Sequence, residues 1–191
     1  VNPITTKKFS QVPVTLVGEE VLNERGLAVA EVETDCVDVT LEGTRSDLGK
    51  VEAEVVVAAL DVSELEKGRN TVPVAVTIPD KTELNKVSVE NINVTVEERV
   101  VEEKEVKVTF EGIFENGSEP GQVTISPEFI EVAGAQSVVN RVEHVQAVVK
   151  ADEVKDNRIE TEAGCQPVDA AGVKVEHVEM SRDAVYVSAK I

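Results

Sequence analysis

Two histidines, two cysteines and a dense population of carboxylates are the groups in this 191-residue sequence that could do chemistry. Catalysis needs such groups to converge, and their spacing gives no sign that they do. His144 and His177 belong to no HExxH zinc motif, and neither lies near a cysteine in sequence. No Cys-x-x-Cys pair and no Gly-x-Ser-x-Gly elbow is present. Each histidine falls in or beside a strand pattern, so a surface or cross-strand histidine is the expected role. Cys36 and Cys165 are two small thiols expected to be buried. Asp35 and Asp38 flank Cys36 with the wrong sign for lowering a thiol pKa.

The carboxylates divide in the same way. A glycosidase pair needs two carboxyl groups whose pKa values burial has driven apart, whereas these acids alternate with valine and lie on a wet face. No Asp-x-Asp-x-Asp-Gly loop builds a calcium site. Glu31, Glu33, Asp35 and Asp38 offer at most weak, unspecific divalent binding. Gly112 and Gly117 flank a hairpin loop instead of opening a helix, so no phosphate cradle is expected. Asn93-Val94-Thr95 and Asn116-Gly117-Ser118 fit the N-glycosylation sequon, a pattern that arises often by chance. The expected inventory is therefore no catalytic residue, no cofactor and no metal ligand.

The elements that would have to position any site are written twice. Val37, Val39 and Leu41 alternate with Asp38, Thr40 and Glu42, which is the period of a half-buried strand. Gly43 breaks that strand, and Ser46 ahead of Leu48 and Val51 reads as the cap of a short helical turn. The device returns as Glu128–Gly134 followed by Ala135-Gln136-Ser137-Val138-Val139. Val12–Gly18 returns as Val106–Gly112, Val55–Val57 as Ala147–Val149, and Val87–Val96 as Val178–Val187. A period this long means tandem domains, since solenoid repeats run about 20–50 residues. Two domains, 1–97 and 98–191, follow. The two cysteines occupy non-equivalent places in the two copies, so a structural disulfide is not expected.

Composition agrees with a mainly β fold. Hydrophobic residues make up 41% of the chain but aromatics only 3%. The apolar mass is largely valine, which packs well on a pleated surface. The net charge is -18, from 19 basic against 37 acidic residues, and the two halves share the excess evenly. Binding a phosphate backbone needs clustered Lys and Arg, so nucleic acid is excluded, and anionic lipid headgroups would be repelled. No apolar run approaches the ~20 residues of a membrane helix. Beginning at Val1 without Met, the sequence reads as an excised piece of a longer protein whose anchor would lie outside it.

In order, the reading places a polar lead-in over Val1–Lys8 and a first strand over Phe9–Val17. Pro13 in that strand implies an edge or a bulge. A loop at Gly18–Arg25 leads to a strand at Gly26–Thr34. The organising strand follows, then a central strand at Glu54–Leu60, an alternating strand at Thr71–Ile78, and a closing one at Leu84–Glu97. Glu97–Glu105 reads as an extended, charged link that sets the two domains out as an elongated rod. The second copy has strands at Val106–Phe114, Gln122–Ser126, Phe129–Val132, Val145–Val149, Ile159–Val168, Val173–Met180 and Val185–Ala189.

These blocks carry a family resemblance over nearly the whole chain. Pro3–Phe9 (PITTKKF), Val12–Gly18 (VPVTLVG), Val37–Leu48 (VDVTLEGTRSDL), Ala58–Val76 and Val87–Glu98 resemble a YbbR domain. Val106–Gly112 (VKVTFEG), Phe129–Val154 and Val185–Ala189 (VYVSA) are similar to a second one, which departs from the family's Leu-Asx-Gly pattern over Asp156–Val168. The resemblance implies a bacterial protein with an N-terminal membrane helix and several such domains outside the cytoplasm. It implies a partner, an integral-membrane diadenylate cyclase that makes cyclic di-AMP and that such proteins regulate. The fold implied is two tandem small β-rich domains with crossing strands and short helical turns. No catalytic residues belong to the family, so none are carried over.

The functional expectation is accordingly a non-catalytic, extracytoplasmic, membrane-anchored regulator acting by contact with the cyclase or with a cell-envelope component. The alternative from the residues alone is a surface adhesin or stalk of tandem immunoglobulin-like modules. An enzyme ranks last.

Overall fold

The valine-rich alternation builds strands almost everywhere. The computed structural model describes residues 2–114, 117 and 119–191, and they form a mainly β molecule in two units, Val1–Glu98 and Arg99–Ile191. In the first unit β1 (Ile4–Val17), α1 (Glu19–Glu24), β2 (Leu27–Val32) and β3 (Cys36–Thr44) are followed by α2 (Arg45–Gly49) and β4 (Val57–Asp61). Then come β5 (Gly68–Pro73), β6 (Ala75–Thr77), β7 (Glu83–Val87) and the opening part of β8 (Asn91–Glu111). The sheet order is β6-β4-β1-β3-β7, and β8 takes β2 on one side and β5 on the other.

The rest of β8 belongs to the second unit. It is joined there by β9 (Val123–Ser126), β10 (Phe129–Ala135), α3 (Gln136–Arg141), β11 (His144–Lys150), β12 (Arg158–Val168), β13 (Val178–Met180) and β14 (Ala184–Lys190). The order is β13-β10-β8-β11-β12-β14-β9.

The pairings repeat between units. A long strand runs antiparallel to the strand before the short helix, then parallel to the strand after it: β1 with β3 and β4, β8 with β10 and β11. The short strand β7 edges β3 as β13 edges β10. β5 and β6, which pair with β8 and β4, correspond to the two ends of β12, which pair with β14 and β11. Each unit has its own buried apolar set. Val39, Leu41, Leu60 and Ile92 are fully buried in the first, and Ile130, Val132, Val149 and Ile159 in the second. Full burial of one such side chain stabilises by about 1.5–3 kcal/mol.

Several sequence expectations shift. The lead-in is not a lead-in: Ile4–Lys8 pair with Thr44–Thr40, because a half-solvated strand needs main-chain partners more than apolar side chains. Gly18–Arg25 is not a loop. Gly18 adopts the left-handed conformation at φ 86 and starts α1, which drives Leu22 into the core. The cap of α2 is Thr44 and not Ser46; Thr44 Oγ1 accepts the Asp47 N–H at 3.2 Å.

Residues Ala53–Val55 form a 3-10 turn, so β4 starts later than the apolar run. The register then matches Ala58 of β4 with Ala147 of β11, since their partners on the long strands are the equivalent Val14 and Val108. Val55–Val57 therefore does not correspond to Ala147–Val149. The even alternation of Thr71–Ile78 hides a break at Val74, where the chain leaves one partner strand for another. The link Glu97–Glu105 is part of β8, paired with β10 over Arg99–Glu105.

Pro13 sits at a bulge and not at an edge. Register shifts between Phe9 and Val12, and Gln11 takes φ 54. The Asp156–Val168 stretch is also ordered: Asp156 and Asn157, both left-handed, make a two-residue turn with Lys155 and Arg158 exchanging backbone hydrogen bonds at 2.8 and 2.9 Å.

Candidate functional site

Positioned by these elements, the chemistry-bearing groups stay apart. Among the described residues no three of His, Cys, Asp or Glu lie close enough together to hold a metal ion. His144 opens β11 opposite Val168, with its Nδ1 buried and without a hydrogen-bond partner. His177 is exposed and holds φ 63 immediately before β13. Its left-handed backbone, not its imidazole, is what the fold uses.

Both cysteines are free, and both are half-buried where full burial was expected. Cys36 lies opposite Pro13 at the start of β3, and Cys165 lies opposite Ala147 in β12. Burial pushes the Cys165 thiol up, and the Asp183 carboxylate adds to the rise. A thiol so placed holds its proton at neutral pH and makes a poor nucleophile.

Two of the four acids considered for divalent binding are tied to separate partners. Glu33 Oε2 accepts from the Asn93 backbone N–H at 3.0 Å and from Asn93 Nδ2 at 2.9 Å. Asp38 Oδ1 accepts from the Gln11 N–H at 3.0 Å, and its Oδ2 lies 3.5 Å from Lys8 Nζ. The Gln11 hydrogen bond holds the Asp38 carboxyl below its usual range, a small burial effect opposes it, and Lys8 assists. The Asn93 sequon sits inside a paired strand. Its amide oxygen accepts from Thr71 Oγ1 at 3.0 Å while its nitrogen is held by Glu33, so a glycan on that nitrogen would compete with the Glu33 contact. The Asn116-Gly117-Ser118 sequon lies outside the described residues except for Gly117, which turns at φ 67.

The concave features are shallow and open to solvent. A cleft of about 740 Å³ beside the Asp156-Asn157 turn is lined by Lys150, Lys155, Arg158, Asp152, Glu153 and Glu160 among others. Acids and bases are mixed there, with none of the apolar lining that ligand sites normally have. A smaller hollow of about 330 Å³ lies between α2 and Pro79-Asp80-Lys81. What the fold does present is strand edge and sheet face. The outer positions of β4 and β6, and of β9, are open and largely uncharged, a geometry suited to contact with another chain.

With that geometry in hand, the comparisons with known proteins can be placed. The family model described as YbbR-like protein matches residues 12–96 and again 104–187. A crystal structure of a YbbR-like protein from Streptococcus pneumoniae is similar over 100% of this chain and 96% of its own, with a TM-score of 0.69 at 15% identity, which speaks to the fold. A YbbR-like domain from Listeria monocytogenes covers 50% of this chain and 96% of its own, at 24% identity and a TM-score of 0.43. No curated protein matches the sequence.

Proposed function

The chain belongs to the YbbR-like family, as two of its domains in tandem, and on that premise we propose that it is the non-catalytic, extracytoplasmic part of a membrane-anchored regulator of diadenylate cyclase. The observation that carries the reading is the double family match, together with a surface that offers sheet edges and faces in place of a reactive pocket. Contact with the integral-membrane cyclase, or with a cell-envelope component whose state is passed on, is the mechanism such a surface suits. No helix among the described residues is long and apolar enough to cross a membrane, so the anchor in this reading is supplied by sequence outside the chain.

The test is co-expression of the cyclase with the full-length anchored protein, or with the same protein lacking both domains, followed by measurement of cyclic di-AMP. A change in cyclic di-AMP that requires the domains supports the reading. Equal levels with and without them overturn it.

A further inference from the structure

One sheet face in the second unit differs from its duplicate in a way that points to a partner. On the outer side of β8 and β10 the register sets Val101 beside Ala133, Glu103 directly opposite Glu131, and Glu105 opposite Phe129. Phe129 is 54% exposed and Val101 51%. Arg99 sits on this side at the far end, 3.8 Å from Glu179, and the alternation of β8 places Lys107 on the same side, two residues past Glu105. The open end of the face is thus an unpartnered aromatic ring set among three carboxylates.

The first unit carries the duplicate of this face. There Lys8 stands beside Thr40 and Thr6 beside Glu42, and Lys8 pairs with Asp38, the residue equivalent to Phe129. The Lys8–Asp38 end of that face is neutralised and carries no aromatic residue, although Glu42 stands opposite Glu83 of β7 further along. In the second unit the base has become Glu103 and its carboxylate partner Phe129. Like charges directly opposite on a sheet destabilise it, and an exposed large apolar side chain at a local conflict of charge is a mark of a binding surface more than of a fold requirement.

We propose that this face docks a lysine- or arginine-rich segment of a partner protein that also supplies an apolar side chain to cover Phe129. The charge is complementary, because a cation placed between Glu103 and Glu131 replaces repulsion with attraction. The aromatic ring gives the contact a centre. The proposal goes beyond the regulatory reading and stands whichever protein supplies the segment.

The experiment titrates the isotope-labelled 191-residue chain with a short peptide alternating lysine and leucine, followed by NMR shift changes at low and moderate salt. Peptides alternating lysine with serine, and glutamate with leucine, serve as comparisons. Shifts should gather on 101–105 and 129–133, and affinity should fall as the Debye length shrinks to about 8 Å at physiological ionic strength. Phe129→Ser, and separately Glu103→Lys with Glu131→Lys, should each weaken binding by at least ~10-fold. Asp152→Lys with Glu153→Lys, the same charge change elsewhere on the unit, should weaken it by less than ~3-fold. Glu103→Lys alone removes the opposed pair, should also weaken binding, and should leave thermal stability equal or higher, so that loss cannot be laid to unfolding. Absence of binding, equal binding of the lysine–serine peptide, or equal loss in the Asp152/Glu153 variant overturns the proposal.

Discussion

The carbonyl oxygen of His177 lies 3.1 Å from where a Cβ on Gly134 would stand. The first unit repeats the contact with Lys81, whose carbonyl oxygen is 3.3 Å from a Cβ built on Gly43. Lys81 and His177 both adopt the left-handed conformation, at φ 68 and 63. In each unit the glycine near the end of the organising strand makes room for a kinked backbone that leads into the edge strand.

Gly134→Ala should therefore destabilise the second unit by about 1–3 kcal/mol, the usual cost of forcing atoms into filled space. His177→Gly should do the reverse, relieving about 1 kcal/mol of left-handed strain. Thermal or urea unfolding of both variants checks the pair. A neutral Gly134→Ala would mean the carbonyl yields freely.

Thr44 caps α2 with its hydroxyl, which also donates to Asp47 Oδ2 at 2.8 Å. Thr44→Ala should cost about 1 kcal/mol and Thr44→Ser much less. Ser46→Ala, at the residue the sequence suggests as cap, should leave the unfolding midpoint nearly unchanged.

Asp38 is held charged by the Gln11 N–H, so its pKa in the fold lies below that of the unfolded chain. The stabilisation is present above the ordinary carboxylate pKa of about 3.9 and is lost as pH falls through the depressed folded value. The melting-temperature gap between the natural chain and Asp38→Ala should be widest near neutrality and close in acid. A gap independent of pH would remove the charge from the account.

Cys165 behaves oppositely, because burial and Asp183 raise its pKa. In a Cys36→Ser background, iodoacetamide near pH 8.5, the usual thiol pKa, should modify folded Cys165 more slowly than the denatured chain. Since the unfolded thiol ionises first, this group's stability contribution is intact at neutral pH and declines as pH rises past that value.

The Asp156-Asn157 turn places both residues at positive φ, a conformation that asks for glycine at its second position. Asn157→Gly should raise stability by up to about 1 kcal/mol. A lowered unfolding midpoint would mean the asparagine side chain makes a contact that matters more.

Much of the sheet was legible because valine alternation at period two has a single structural meaning. The duplication was legible because Gly43 and Gly134 mark equivalent points in equivalent strands. What escaped depends on partners that lie far away in sequence. The α1 helix is announced only by Leu22 and a left-handed Gly18. Residues Thr71–Ile78 alternate without interruption although the strand changes partners at Val74. Ile4–Lys8 look like a tail until Thr40–Thr44 supply their hydrogen bonds. No sequence pattern singles out Phe129 either. Its meaning appears only when the register sets it opposite Glu105 and the duplicate shows Asp38 in its place.

The bulge at Gln11 has an evolutionary corollary. Phe9 and Val12 both face inward although three positions separate them, whereas in the second unit Lys104, equivalent to Phe9, and Val106 are two apart, with no shift in between. One copy thus carries a single extra residue, and the kink absorbs it before the parity of inside and outside can invert. Deleting Gln11 would leave Phe9 and Val12 two apart, as in the second unit, with both still inward; flattening the kink while keeping the residue would turn either Phe9 or the run Val12, Val14 and Leu16 out to water. Along this strand, length can drift between homologues only in steps of two, or by one wherever such a kink is gained or lost.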